Sequence, residues 1–141
     1  MVLRLLQYWR QIGGDRSFPG SGDIAPVDIP EMWPHCYLID VAAAPADPVI
    51  DYVGPASSEG LPGDFKGRPI SELPPNTLLA KATSYLNQVI AKEVPISMGG
   101  EFEDGTGATI LYRSILLPLS DEGRTIDHVL GAANYRKVVT G

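Results

Sequence analysis

The stretch Asn76-Thr77-Leu78-Leu79-Ala80-Lys81-Ala82-Thr83-Ser84-Tyr85-Leu86-Asn87-Gln88-Val89-Ile90-Ala91-Lys92 carries the strongest structural signal in the chain. Leu78, Leu79, Ala82, Tyr85, Leu86, Val89 and Ile90 keep the three-and-four spacing of an amphipathic helix. Asn76 is a natural cap before it and Pro95 bars continuation beyond it. The spacing predicts one long helix over 76–92, with one face that must be buried.

On the C-terminal side of this helix, apolar runs predict three strands at 96–103, 108–117 and 125–136. The turn sequences Asp104-Gly105-Thr106-Gly107 and Ser120-Asp121-Glu122-Gly123 separate them. In the middle strand, Ile110, Tyr112, Ser114 and Leu116 share one face, and Leu111, Arg113, Ile115 and Leu117 share the other. Both faces are largely apolar, as expected if the sheet is also covered on its outer side. On the N-terminal side, 36–42 and 49–53 read as a strand pair around a turn at 45–48. Short helical turns follow at 54–58 and 70–73, either side of a breaker-rich connection over 60–67.

At the N-terminus, Val2, Leu5, Leu6 and Trp9 fall at i, i+3, i+4 and i+7, which draws an apolar stripe along a helix that Gly13-Gly14 ends. The glycines and prolines of 15–34 predict an extended strap with one helical turn at 29–33, where Asp28 is a candidate cap. The chain thus divides into an N-terminal amphipathic helix, 1–14, and a domain of residues 15–141. At 141 residues it has the length of one domain.

Seventeen acidic and eleven scattered basic residues give a net charge of −6, which disfavours a nucleic-acid partner because phosphate binding needs clustered cations. The single cysteine, Cys36, cannot form an internal disulfide or a zinc cluster, which fits a reducing compartment, the cytoplasm. No apolar run approaches the roughly 20 residues that span a bilayer, so no membrane partner is expected.

Tyr8-Trp9-Arg10, Asp23-Ile24-Ala25-Pro26-Val27-Asp28-Ile29-Pro30 and Cys36-Tyr37-Leu38-Ile39-Asp40 occur in that order. With Asp51-Tyr52-Val53-Gly54, Gly67-Arg68-Pro69-Ile70-Ser71-Glu72-Leu73, Leu116-Leu117-Pro118-Leu119-Ser120 and Val129-Leu130-Gly131, this order resembles the small bacterial single-domain PAS proteins. The resemblance implies an α+β, PAS-like fold: a five-stranded antiparallel sheet packed against a long helix and short helices, plus the N-terminal amphipathic helix. It also implies a sensory or interaction module. Two positions depart from the family pattern: Ser21 stands where the strap commonly has Arg, and Val53 follows Tyr52 where Arg is usual.

The cofactor chemistries that PAS domains host each require a particular atom. The predicted long helix has no His for an axial haem ligand. Cys36 lies on the first strand rather than in the Asn-Cys-Arg setting of a flavin photoreceptor, and reads as a small buried apolar residue. His35 and His128 lie on different strands without metal-ligand spacing, and read as surface or edge residues. Asp127 neighbours His128, but alternation along a strand would send the two side chains to opposite faces. Glu101, Glu103 and Asp104 read as a solvated hairpin end, and Ser57, Ser58 and Ser97 lack a nucleophile elbow and a His base. The glycines at 99–100 and 105–107 open no helix and read as turn residues rather than a phosphate cradle.

The expectation is therefore a non-catalytic signalling module with no metal and no assigned cofactor. Its partners would be a histidine kinase or another PAS-containing regulator, and a second copy meeting it through Val2, Leu5, Leu6 and Trp9 in a homodimer. An unidentified small ligand between the long helix and the last three strands would meet Tyr85, Phe102, Tyr112, Ser114, His128 and Asn134. A small-metabolite sensor is the first alternative. An enzyme of hotdog- or cystatin-like fold is the second, and it would need a polar constellation that the sequence does not assemble.

Overall fold

The computed structural model describes residues 1–42 and 47–138, so the turn expected at 45–48 falls partly outside the described residues. Five antiparallel strands, β1 (Cys36–Asp40), β2 (Val49–Val53), β3 (Ile96–Glu103), β4 (Thr109–Leu119) and β5 (His128–Val138), form one sheet in the order β2-β1-β5-β4-β3. β4 and β5 run beside each other for eleven pairs, from Thr109↔Val138 to Leu119↔His128. Alternation along this ladder defines two faces. Tyr37, Tyr112, Ser114, Leu116 and Gly131 share the inner face, and Cys36, Asp40, Leu117, His128 and Leu130 share the outer one.

The stripe over 78–90 covers the inner face, but as two helices, α2 (Leu78–Ala82) and α3 (Leu86–Lys92). The hydroxyls interrupt it: Thr83 Oγ1 donates to the Leu79 carbonyl at 2.8 Å and Ser84 Oγ to the Lys81 carbonyl at 2.7 Å. The backbone between them tightens to i→i+3 bonds, as in Leu86 N–H to Thr83 O. Such back-bonding competes with the regular helical ladder. The apolar spacing survives the break because the side chains still face the sheet, and Leu78, Leu79, Ala82, Tyr85, Leu86 and Val89 are all buried. The cap is Thr77, whose hydroxyl accepts from Ala80 N–H, rather than Asn76.

The outer face is covered by α1 (Val2–Gly13), which packs on β4 and β5. Trp9 Nε1 donates to the Pro118 carbonyl at 2.8 Å. Burial of Leu5 and Trp9 here explains why β4 is apolar on both faces. Gly14 leaves the helix at φ 58, and Arg16 folds back to donate to the Ile12 and Gly13 carbonyls. The strap follows, with Ala25 N–H donating to the Tyr8 hydroxyl at 2.9 Å and its expected turn closed by Trp33 N–H to Ile29 O.

β2 and β3 end where the sequence reading puts them, β4 is shifted by one residue at its start and two at its end, and the end of β1 and both ends of β5 differ by two or three. β1 stops at Asp40 because its carboxylate accepts from Ala42 N–H at 2.9 Å and turns the chain. β5 begins at His128 rather than Thr125, so Asp127 lies just before the strand.

Candidate functional site

The first cluster lies on the inner face, where the sequence placed a ligand. Tyr85 sits at the break between α2 and α3, and its hydroxyl meets Ser114 Oγ at 2.8 Å. Ser114 is fully buried and also reaches the Met98 carbonyl of β3. Burial pushes the Tyr85 phenol up to about 12, against the opposing effect of the Ser114 bond. Tyr112 is on the same face, edge-on to Phe102 with ring centroids 5.9 Å apart.

Tyr37 completes this cluster from β1. It is 0% exposed, and its hydroxyl has no hydrogen-bond partner among the described residues. Burial, reinforced by Tyr85, Cys36 and Tyr112, holds its phenol well above the ordinary range. Its ring lies over Gly131 of β5, where a Cβ would collide with ring carbons. Tyr37 and Gly131 are register partners, so the missing side chain makes room for the ring.

Four of the six sequence-predicted ligand residues, Tyr85, Phe102, Tyr112 and Ser114, therefore gather around the inner face. His128 and Asn134 fall on the outer face, because both alternate with Gly131 and Ala133 along β5. Of the four expected interface residues, Leu5 and Trp9 are buried within the chain, while Val2 and Leu6 are half-buried.

The second cluster was not legible as a unit in the sequence. His128 is only 17% exposed at its side chain and is ringed by four carboxylates, so it is not a surface histidine. Its Nδ1 lies 2.8 Å from Asp127 Oδ1 and 3.9 Å from Asp121 Oδ2, and its Nε2 lies 3.4 Å from Asp51 Oδ2 and 4.0 Å from Asp40 Oδ2. Adjacent residues meet here, contrary to the alternation argument, because Asp127 precedes the strand and is free of its pleat. Burial works against charge on the ring, but the bond and charge of Asp127 and the charges of Asp40 and Asp121 outweigh it and raise the imidazole above its usual range.

Different elements deliver these carboxylates. Asp40 is the cross-strand partner of His128. Asp51 arrives through a bulge: Leu38 pairs with Tyr52 and Ile39 with Ile50, leaving Asp51 without a partner in the ladder. Asp121 accepts from both the backbone N–H and the hydroxyl of Ser21, at 2.8 and 2.9 Å, and these bonds hold its carboxyl below the usual carboxylate range. Ser21 thus ties the strap to this cluster. Cys36 shares the outer face, donates to the Met32 carbonyl at 3.4 Å, and is pushed by burial up to about 12, which removes thiolate reactivity.

A family model described as a PAS domain matches residues 2–134, and the chain belongs to that family. Domains of this family are sensory modules of signalling proteins. Among solved structures, the chain is similar to a light-oxygen-voltage domain from a study of its mechanism with a flavin analogue. The identity is 16%, the alignment covers 80% of this chain and 82% of that one, and the TM-score is 0.51. It is also similar to the Aureochrome1 LOV blue-light photoreceptor in its light state, at 17% identity over 82% of this chain and 89% of that one, with a TM-score of 0.49. The PAS domain of an HTR-like protein from Haloarcula marismortui matches at 18% identity over 72% of this chain and 79% of that one, with a TM-score of 0.40. No curated protein matches the chain. At these identities the likeness is one of fold.

Proposed function

We propose that this protein is a non-catalytic signalling module that acts by contacting another protein rather than by carrying a cofactor. The observation that supports this reading is the filled inner face. Tyr37 over Gly131, the Tyr85–Ser114 pair, Leu78, Leu79, Leu86 and Val89 occupy the layer between the helices and the sheet with the chain's own side chains. Cys36 on the opposite face cannot form a bond to a flavin seated on the inner one. The partner would be a histidine kinase, another PAS-containing regulator or a second copy, met in the cytoplasm through the exposed side of α1. There Leu3 is 74% exposed beside half-buried Val2 and Leu6.

One observation favours the alternative of a small-metabolite sensor: the unpartnered hydroxyl of Tyr37 beside Tyr85 and Tyr112. A buried hydroxyl without a partner destabilises its own fold, and a small polar ligand would relieve that. Native mass spectrometry and absorbance of the protein purified without denaturation separate the two. The proposal expects the mass of the bare chain or its multiples and no visible chromophore; a stoichiometric bound molecule would favour the sensor. For assembly, light scattering of Leu3→Glu/Leu6→Glu against the wild type tests the α1 surface. A dimer unaffected by both charges would remove α1 from the interface.

A further inference from the structure

We propose that the free edge of β3 pairs with the β3 edge of a second copy of this chain, antiparallel and in the register that sets Gly100 against Gly100. The two edges of the sheet are finished differently. Beyond β2 the chain closes its own ladder, with Ile50 N–H donating to Arg68 O at 3.0 Å and Ile70 N–H to Pro48 O at 2.8 Å. β3 is the opposite edge, and among the described residues no backbone–backbone bond reaches it except from β4. Ser97, Met98, Gly99, Gly100 and Glu101 are all exposed. An open edge of this kind is a template for a further strand.

Charge complementarity selects both the occupant and the register. On the outer face, Arg113 of β4 is the cross-strand partner of Gly99, and Leu111 that of Glu101. Arg113 leans over Gly99, where a Cβ would lie 3.6 Å from its Cγ. With Gly100 on the two-fold axis, Gly99 faces the partner's Glu101, and residues that face each other lie on the same side of the joined sheet. Arg113 and that glutamate then start two strand spacings apart, roughly 10 Å between backbones. The residue between them is a glycine, with no side chain to keep them apart. Symmetry makes the same ion pair twice. Within the described residues of their own chain, neither Arg113 nor Glu101 has an ion-pair partner. The neighbouring registers are worse: Gly99 against Gly99 brings the two Arg113 side chains together, and Glu101 against Glu101 sets like charges directly opposite.

The inner face agrees with this register. Met98, 37% exposed in the single chain, meets the partner's Phe102, and a thioether beside an aromatic ring is a favourable contact. At the axis Gly100 adds no side chain, and Tyr112 lies over it with its hydroxyl 3.2 Å from where a Cβ would stand. Glutamates in an edge strand ordinarily keep other strands away. Here each Glu101 gains the partner's Arg113 and is only diagonal to the other Glu101, while Glu103 faces the partner's Ser97. One strand edge buries less than the roughly 1,200 Å² of a standard interface, so the dimer is weak and concentration-dependent. α1 lies against the other end of β4, at Pro118, and stays open to a different partner.

The test is sedimentation velocity of the full chain from about 10 μM to about 1 mM at low salt. The expected result is a reversible monomer–dimer equilibrium that weakens as salt is added. Arg113→Glu and Glu101→Arg should each weaken dimerisation at least about tenfold, because each sets like charges between the copies. The double variant Arg113→Glu/Glu101→Arg should recover most of the loss. Both side chains are exposed, and circular dichroism establishes that each variant is folded. A chain that stays monomeric throughout the range overturns the proposal. So does a double variant no better than the single ones, since the register would then be wrong. A dimer that survives Arg113→Glu but is lost in Leu3→Glu/Leu6→Glu also overturns it, by placing the contact on α1.

Discussion

The two faces of the sheet manage their polar groups in opposite ways. The inner face buries tyrosines and a serine among leucines and leaves only the Tyr37 hydroxyl without a partner among the described residues. The outer face is apolar beneath α1 but ends in a knot of one histidine and four aspartates under the strap. In this chain the face on which PAS ligands are expected is the one closed by packing. The ionisable groups with the closest mutual geometry gather on the other face.

The inner face should respond most strongly to a change of one methyl group. Gly131→Ala places a Cβ against the Tyr37 ring, and overpacking of this kind costs about 3 kcal/mol. Urea unfolding would show a large fall in midpoint, and a variant as stable as the wild type would mean that Tyr37 does not fill this space. On the outer face, Trp9→Phe keeps an aromatic ring but leaves the Pro118 carbonyl without the indole N–H, a loss of about 1.5 kcal/mol. A smaller effect of opposite sign is expected from Tyr37→Phe, which removes an unpartnered hydroxyl and should raise stability by about 1 kcal/mol. A loss there would mean that the hydroxyl does have a partner, and would shift weight to the metabolite-sensor reading.

The smallest effect belongs to the strap. Ser21→Ala removes one of two exposed bonds to Asp121 and should cost about 0.5 kcal/mol at neutral pH. Acid removes part of the strap's contribution. Asp121 and Asp23 are both held below their reference value of 3.8, Asp121 by Ser21 and Asp23 by the Gly20 N–H and Arg16. Depressed carboxylates contribute stability that is present above the unfolded value and is lost as pH falls through their lower folded values. Urea midpoints measured down through that range should fall, and fall less in Ser21→Ala, which has less of this contribution to lose.

The order of elements was legible because it rests on spacing: the stripe over 78–90, the alternation in β4 and the turn at 104–107 each survive in the structure, whereas Gly99 and Gly100, read as turn residues, lie inside β3 opposite Arg113 and Tyr112. The break at Thr83–Ser84 was not, because two hydroxyls turned back on the helix leave the apolar period unchanged. The inner cluster was legible through Tyr85 and Ser114, which share a face by simple counting. Tyr37 was missed as its largest member; Gly131, a glycine inside a strand, was the available signal. The histidine cluster was hidden for two reasons. Its carboxylates come from four separate stretches of sequence, and Asp51 joins only because a bulge removes one ladder pair.

The indole of Trp9 against β4 has a consequence for measurement. The only other tryptophan, Trp33, stacks on Tyr52 with centroids 4.4 Å apart, and Tyr52 shares the outer face with Leu38. Both indoles therefore belong to the same layer, and the helical layer on the other side of the sheet has none. Intrinsic tryptophan emission should report undocking of α1 and the strap while remaining nearly blind to rearrangement of α2 and α3. A dye-free optical experiment can thus follow one side of this protein separately from the other.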